Sequence, residues 1–280
     1  MKHLRLLLTA AAAVLSAYTP EETPHPQMMV VEGWIESGAA PVVMVSSTLT
    51  PSAEKQSFSS LSDHIERWAR VAVSDGTREV VLTGKPSPNH FPPYIYTTGR
   101  MFGEPGKTYT LTVDTDDFHC SASTVIPAPV PLESLEPVPF GDTEGGWILK
   151  AVWKDNPAEK NAYKFFLLTE GVDSLYGSSR LNFLDDDVIA GDTAEALLTP
   201  PRNVHRAKGN SDCFFSGQSV KVKFCSLDPA CSSIMQDLDE SLTQSGAPIL
   251  VSNKNIQGNV SGALGYFVGF GRSIYTVRIP

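Results

Sequence analysis

The sequence predicts a mostly β protein: two β-sandwich-like domains of immunoglobulin or fibronectin type, the second carrying one α-helix. Three observations lead there. Short β-branched and aromatic runs recur along the chain, punctuated by Gly, Pro, Asn and Asp, which is the pattern of many short strands joined by turns. A chain of 280 residues is long enough for two separate cores. Between the two β-rich halves, residues 127–139 hold five prolines in thirteen positions. Proline fixes φ and removes a backbone donor, so this run is neither a central strand nor a helix interior. It reads as a stiff connector. The expected divisions are therefore 1–17, 18–27, 28–126, 127–139 and 140–280.

The start of the chain has the layout of a secretory leader. Met1-Lys2-His3-Leu4-Arg5 is basic, residues 6–15 are apolar, and the small residues Ser16-Ala17 follow. Cleavage is expected between Ala17 and Tyr18, which removes Lys2 and Arg5 and leaves a more acidic chain. Leu15-Ser16-Ala17 is also what precedes the lipid-bearing cysteine of a bacterial lipoprotein, but Tyr18 has no thiol to acylate. Residues 18–27 then form a flexible tether. Export to the cell envelope is the expected localisation.

In the first half, Met28-Met-Val-Val-Glu-Gly-Trp-Ile35 and Val42-Val-Met-Val-Ser-Ser47 flank a Gly-Ala-Ala-Pro turn. Arg70-Val-Ala-Val-Ser74 and Glu79-Val-Val-Leu82 flank Asp75-Gly76, a strong hairpin signal. Thr108-Tyr-Thr-Leu-Thr-Val-Asp114 alternates as a half-buried strand does, and a last strand runs from His119. Residues 57–67 fit either a loop or a helical turn.

In the second half, Trp147-Ile-Leu-Lys-Ala-Val-Trp153 and Ala162-Tyr-Lys-Phe-Phe-Leu-Leu168 read as a hairpin joined by a polar loop. Ser219-Val-Lys-Val-Lys-Phe224 alternates with Val220, Val222 and Phe224 inward. A helix opens at Asp228 as N-cap with Pro229 in its first turn. Cys231, Ile234, Leu238 and Leu242 lie on one face, and Gly246 is the expected stop. Residues 264–270 and 274–279 close the sheet as two strands.

The net charge of −9 and pI near 5.1 exclude an ordinary nucleic-acid binder, because phosphate recognition needs a basic surface. No apolar run after the leader reaches the roughly 18 residues of a membrane-spanning helix.

Chemistry-bearing motifs are sparse. Asp185-Asp186-Asp187 with Asp192 is the densest acidic group. It lacks the spaced aspartates and glycine of a calcium loop, so a solvated surface loop is the plainer reading. His3, His25, His64, His90, His119 and His205 show no metal-ligand spacing. Gly209-Asn-Ser211-Asp-Cys213 lacks the second glycine and the base of a serine-nucleophile turn. Cys213, Cys225 and Cys231 in an exported chain allow one disulfide, with buried thiols as the alternative; Cys120 stands apart. The aromatic groups around residues 91–96 and at Tyr266, Phe267 and Phe270 fit core packing better than a stacking platform. No catalytic residue, metal or cofactor is expected.

A resemblance covers nearly the whole chain. It runs through Val30-Val-Glu-Gly-Trp-Ile35, Pro105-Gly-Lys-Thr-Tyr-Thr-Leu111, Ser121-Ala-Ser-Thr-Val-Ile-Pro127 and Pro131-Leu-Glu-Ser-Leu135. It continues through Trp153-Lys-Asp-Asn-Pro157 with Asn161-Ala-Tyr163, and Asn255-Ile-Gln-Gly258 with Gly265-Tyr-Phe267. In this order they resemble the Bacteroidetes family named domain of unknown function 4249. The resemblance implies a cell-envelope protein, usually a lipoprotein, often encoded beside TonB-dependent outer-membrane receptors. With no nucleophile–base set or metal cage among the motifs, the expected function is a non-enzymatic accessory or binding protein serving such a receptor. A surface-structural or adhesive protein is the alternative. The chain departs from the family pattern at Tyr18, where the lipid cysteine is expected, and at Asn259, where a second glycine often follows Gly258. The latter is expected to affect only a turn.

Overall fold

A computed structural model describes residues 27–48, 63–141, 143–185, 189, 191–201, 212–245 and 258–280. The protein is mostly β. In chain order the strands are β1 (Met29–Glu36), β2 (Val42–Ser47), β3 (Arg70–Ser74), β4 (Glu79–Val81), β5 (Thr83–Pro86), β6 (Tyr94–Thr97), β7 (Thr108–Asp114) and β8 (His119–Val125). They continue with β9 (Leu132–Pro139), β10 (Gly146–Lys154), β11 (Ala162–Thr169), β12 (Gly177–Asp185), β13 (Thr193–Leu198), β14 (Phe214–Phe215), β15 (Ser219–Leu227) and β16 (Leu264–Arg278). One α-helix, α1 (Ser232–Ser245), is seen among the described residues. The leader, Ala17, Tyr18 and the tether up to residue 26 lie outside them.

Strand pairing makes three sheets. The largest has the order β12-β11-β15-β16-β1-β2-β6-β5 and so takes four strands from each side of the proline-rich stretch. A sheet of β4-β3-β7-β8 faces its first half, and a sheet of β10 flanked by β9, β13 and β14 faces its second half. Val31, Ile35, Val43, Val45, Val71, Val73, Leu111 and Val113 fill the first core. Leu149, Trp153, Tyr163, Phe165, Val222 and Phe224 fill the second. Alternation puts these residues inward because successive side chains of a strand point to opposite faces.

β16 is the strand both halves share. It pairs in parallel with β1 from Val30↔Leu264 to Glu36↔Phe270, then antiparallel with β15 from Leu227↔Phe270 to Ser219↔Arg278. The two partners flank opposite edges of β16 and hand over at Phe270. Its inward side chains follow suit: Phe267 belongs to the first core, and Tyr275 and Val277 pack on the second. The sequence pattern reads this tail as two strands, 264–270 and 274–279, where the structure has one continuous strand. Two of its glycines serve a close approach. A Cβ on Gly269 would stand 2.2 Å from the Val125 carbonyl oxygen, and one on Gly271 would stand 2.3 Å from that of Pro127. The chain leaving β8 crosses β16 here, and only glycine admits that approach.

The proline-rich stretch differs from the expected connector in its second half, where β9 pairs with β10 from Leu132↔Trp153 to Pro139↔Trp147. The proline argument still holds in physical terms, because β9 pairs on one side only and an edge strand tolerates missing donors. Its first half has no strand partner, so side chains satisfy its backbone. Ser226 Oγ donates to the Ala128 carbonyl at 2.7 Å, Ser273 Oγ donates to that of Val130 at 3.2 Å, and Tyr275 Oη accepts from Leu132 N–H at 2.8 Å.

The expected β10–β11 hairpin is also corrected. β10 and β11 lie in facing sheets, and the loop of residues 155–161 carries the chain across the sandwich. The reason is aromatic. Trp153 packs edge-on against Tyr163 and Phe165, with ring centroids 5.4 and 5.5 Å apart, which needs one side chain from each layer. Other turns form as expected. In the β3–β4 turn, Gly76 adopts φ 83°, and Asp75 Oδ1 accepts from Thr77 and Arg78 N–H, each at 3.0 Å.

The helix opens as its sequence predicts. Asp228 accepts from Ala230 N–H at 3.0 Å, and one 3-10 turn over Pro229–Cys231 leads into α1. Cys231, Ile234, Met235 and Leu238 are buried against the outer face of the large sheet, among Cys225, Leu227, Val268 and Phe270. Gly246 lies outside the described residues.

Candidate functional site

A cleft of about 310 Å³ opens where three non-local segments meet. The crossing segment (Pro127, Ala128, Val130) forms one wall, the loop after β10 (Asn156, Glu159, Lys160, Asn161) another, and Leu227 with Pro229 close it. The loop ties itself down: Asn161 Nδ2 donates to the carbonyls of Asn156 at 2.8 Å and Glu159 at 3.0 Å, and Asn156 Oδ1 accepts from Ala158 N–H at 3.2 Å. Beneath it, the buried Asp155 accepts from Tyr163 Oη at 2.8 Å. Lys154 bonds Thr193 Oγ1 at 2.8 Å and lies 3.6 Å from Asp192. Lys160 makes no ion pair among the described residues. The cleft therefore has apolar wall residues, Pro127, Ala128, Val130 and Leu227, and a polar rim on which Glu159 stands beside Lys160.

The opposite face of the large sheet carries buried charge. Arg272 Nη1 donates to Glu36 Oε2 at 2.9 Å, and its Nε donates to the Ser37 carbonyl at 2.8 Å. Lys223 also pairs with Glu36 and lies 4.9 Å from the ring centroids of Phe166 and Tyr176. These three charges come from β1, β16 and β15, so they stitch the handover around Phe270 on the face opposite the glycines. Glu32, four residues earlier on the same face of β1, is as buried as Glu36, yet makes no hydrogen bond or ion pair among the described residues. Burial pushes its carboxyl up to about 7.

The cysteines form no disulfide, and all four are buried. Burial raises the Cys120 thiol to about 11 and the Cys225 thiol to about 12, and it also raises that of Cys231. Such thiols stay protonated and poorly nucleophilic at neutral pH.

The histidines are scattered. His64 meets Ser47, His90 bonds Ser87 Oγ at 2.8 Å and stacks on Trp34, and His119 bonds Asp114. Among the described residues no three His, Cys, Asp or Glu side chains gather as metal ligands. Asp186, Asp187, His3, His25, His205 and residues 209–211 lie outside the described residues. Tyr96, Phe267 and Phe270 are buried, as core packing requires. Asn259 does more than occupy a turn. Its Oδ1 accepts from Phe267 N–H, and its Nδ2 donates to the Phe267 carbonyl, both at 2.8 Å, with a longer bond to the Ser123 carbonyl. The carboxamide thus acts as a strand partner between β16 and β8.

Only local signals mark these features in sequence. The cleft residues Lys154, Asn156 and Asn161 fall within quoted motifs, but nothing in the pattern brings them to Pro127 and Pro229. A single apolar strand likewise does not reveal that Glu32 lacks a counter-ion.

Fold and site together define a β protein of two facing-sheet cores joined through one shared sheet, with a cleft at their seam. The chain belongs to the family described as Domain of unknown function (DUF4249), whose model matches residues 16–275. No curated protein matches it. Among the described residues no helix is long and apolar enough to cross a membrane.

Proposed function

We propose that the protein is an exported, non-enzymatic binding protein of a Bacteroidetes cell envelope that serves a TonB-dependent outer-membrane transporter. The seam cleft is its docking site, and this cleft carries the reading. Its walls are braced from two sheets, so it is preorganised, and binding there needs little ordering of the protein. Its apolar wall residues and Lys160, which makes no ion pair among the described residues, suit an extended loop presenting an acidic side chain. The basic and apolar leader supports export. An adhesive role by strand addition finds little room at three of the sheet edges, while β8 and β12 are longer edge strands. β4 has three residues, β5 carries Lys85 and Pro86, and β9 carries Pro137 and Pro139.

The test is affinity purification of the tagged chain from envelope membranes, with mass-spectrometric identification of what accompanies it. A TonB-dependent transporter should co-purify, and Lys160→Glu should lose it while retaining the wild-type melting temperature. Recovery of the same transporter with Lys160→Glu would remove the cleft from the account. Absence of any transporter from the wild-type sample would remove the function.

A further inference from the structure

The end of the first sandwich at which the described chain begins exposes three large apolar side chains among charged ones. Trp68 is 92% exposed, and Met28 and Phe118 are 41% and 39% exposed. Single exposed apolar residues are ordinary. A nearly bare tryptophan is not, and two further exposed apolar side chains lie at the same end of the sandwich.

The strand register places all three at one end. Thr48 donates its N–H to the Met28 carbonyl at 2.8 Å, and Gln27 Nε2 bonds Ser47 Oγ at 2.8 Å. Ser47 in turn meets His64, and Ser46 bridges to Ile65, which brings the segment preceding Trp68 alongside. In the facing sheet, Arg70 at the start of β3 sits opposite Asp114, and Asp114 sits opposite His119. The turn holding Phe118 therefore projects at the same end as Trp68. Cys120 Sγ lies 3.9 Å from Met29 Sδ and ties the two layers there.

We propose that this end of the sandwich is a membrane-docking surface that seats Trp68, Phe118 and Met28 among zwitterionic lipid headgroups. Two features favour a bilayer as the occupant. Trp and Phe beside a polar backbone are suited to the interface, where the ring is buried and its edge stays wet. At this end the exposed Asp63, Asp116 and Asp117 outnumber the exposed Arg67 and Arg70, and the chain is acidic overall. Both disfavour an anionic surface and suit the ammonium groups of a zwitterionic one. The proposal rests on the export reading above but not on the transporter.

The experiment uses protein purified from expressing cells after export, with vesicles of pure phosphatidylcholine and others containing a third phosphatidylglycerol. The wild type should sediment with the neutral vesicles and bind the anionic ones less well. Its tryptophan emission should shift to the blue on binding. Trp68→Phe should keep most of the binding but lose the spectral shift. Trp68→Ser with Phe118→Ser should bind about tenfold more weakly, while Leu197→Ser, at an exposed position of β13 in the other half, should leave binding unchanged. Equal sedimentation of all variants, a spectral shift that survives Trp68→Phe, or a preference for anionic vesicles would overturn the proposal. Mass spectrometry of the same sample reads its N-terminus, so a failure of export is told apart from a failure of docking.

Discussion

Replacing Glu32 by Gln should stabilise the protein, and only at neutral and alkaline pH. Glu32 lies on β1 between Met44 of β2 and Tyr266 of β16. It is 5% exposed and lacks the cations that Glu36 has. Its carboxyl is raised by burial from the ordinary 4.5 to about 7. In the unfolded chain it ionises near 4.5, whereas in the fold it holds its proton until about pH 7. Folding therefore becomes less favourable as pH rises through that window, and the penalty is complete above it. At about 1.4 kcal/mol per tenfold step in affinity for the proton, the penalty is about 3 kcal/mol at pH 8 and below about 0.5 kcal/mol at pH 4.5. Any packing offset from the amide is independent of pH, so the variant-minus-wild-type difference isolates the ionisation. Urea denaturation at several pH values measures it. The difference should grow in favour of Glu32→Gln by about 3 kcal/mol between pH 4.5 and pH 8. A difference that is flat with pH, or that shrinks as pH rises, would refute the reasoning.

Leu238→Ala should leave a cavity between α1 and the large sheet and destabilise by about 2–5 kcal/mol. Gln236→Ala, on the exposed side of the same helix, should change stability by no more than about 0.5 kcal/mol in the same chemical denaturation. Gly269→Ala forces a methyl against the Val125 carbonyl and should destabilise by about 1–3 kcal/mol or more, read as a fall in melting temperature. Glu36→Ala strands the buried Lys223 and removes the partner of the half-buried Arg272, and should destabilise by about 3–5 kcal/mol, with Arg272→Met in the same background recovering part of the loss in a double-mutant cycle.

What the sequence discloses is local chemistry. Asp75-Gly76 marks its turn because the aspartate side chain caps it, and Asp228-Pro229 marks its helix start for the same kind of reason. The alternation of Val220, Val222 and Phe224 marks the inward face of β15. The partners of a strand are not local. Nothing in Val30–Ile35 says that its neighbour lies more than 230 residues onward in β16. A polar seven-residue loop fits a hairpin as well as a layer crossing, and only the meeting of Trp153 with Phe165 decides between them. The same holds for the cleft. Lys160 and Pro127 are ordinary surface residues until the crossing over Gly269 and Gly271 brings their segments together.

The shared sheet is the central claim, and one cross-link tests it most directly. Val30 and Leu264 are register partners in the parallel β1–β16 pair, both half-buried on the same face. Paired strand residues stand within disulfide reach. A chain carrying Val30→Cys and Leu264→Cys should, after mild oxidation, yield one peptide joining these two positions on non-reducing digestion. Val30→Cys with Ile274→Cys, displaced by ten residues along β16, should not. Cross-linking in the displaced pair, or none in the matched pair, would contradict a sheet that runs through both halves.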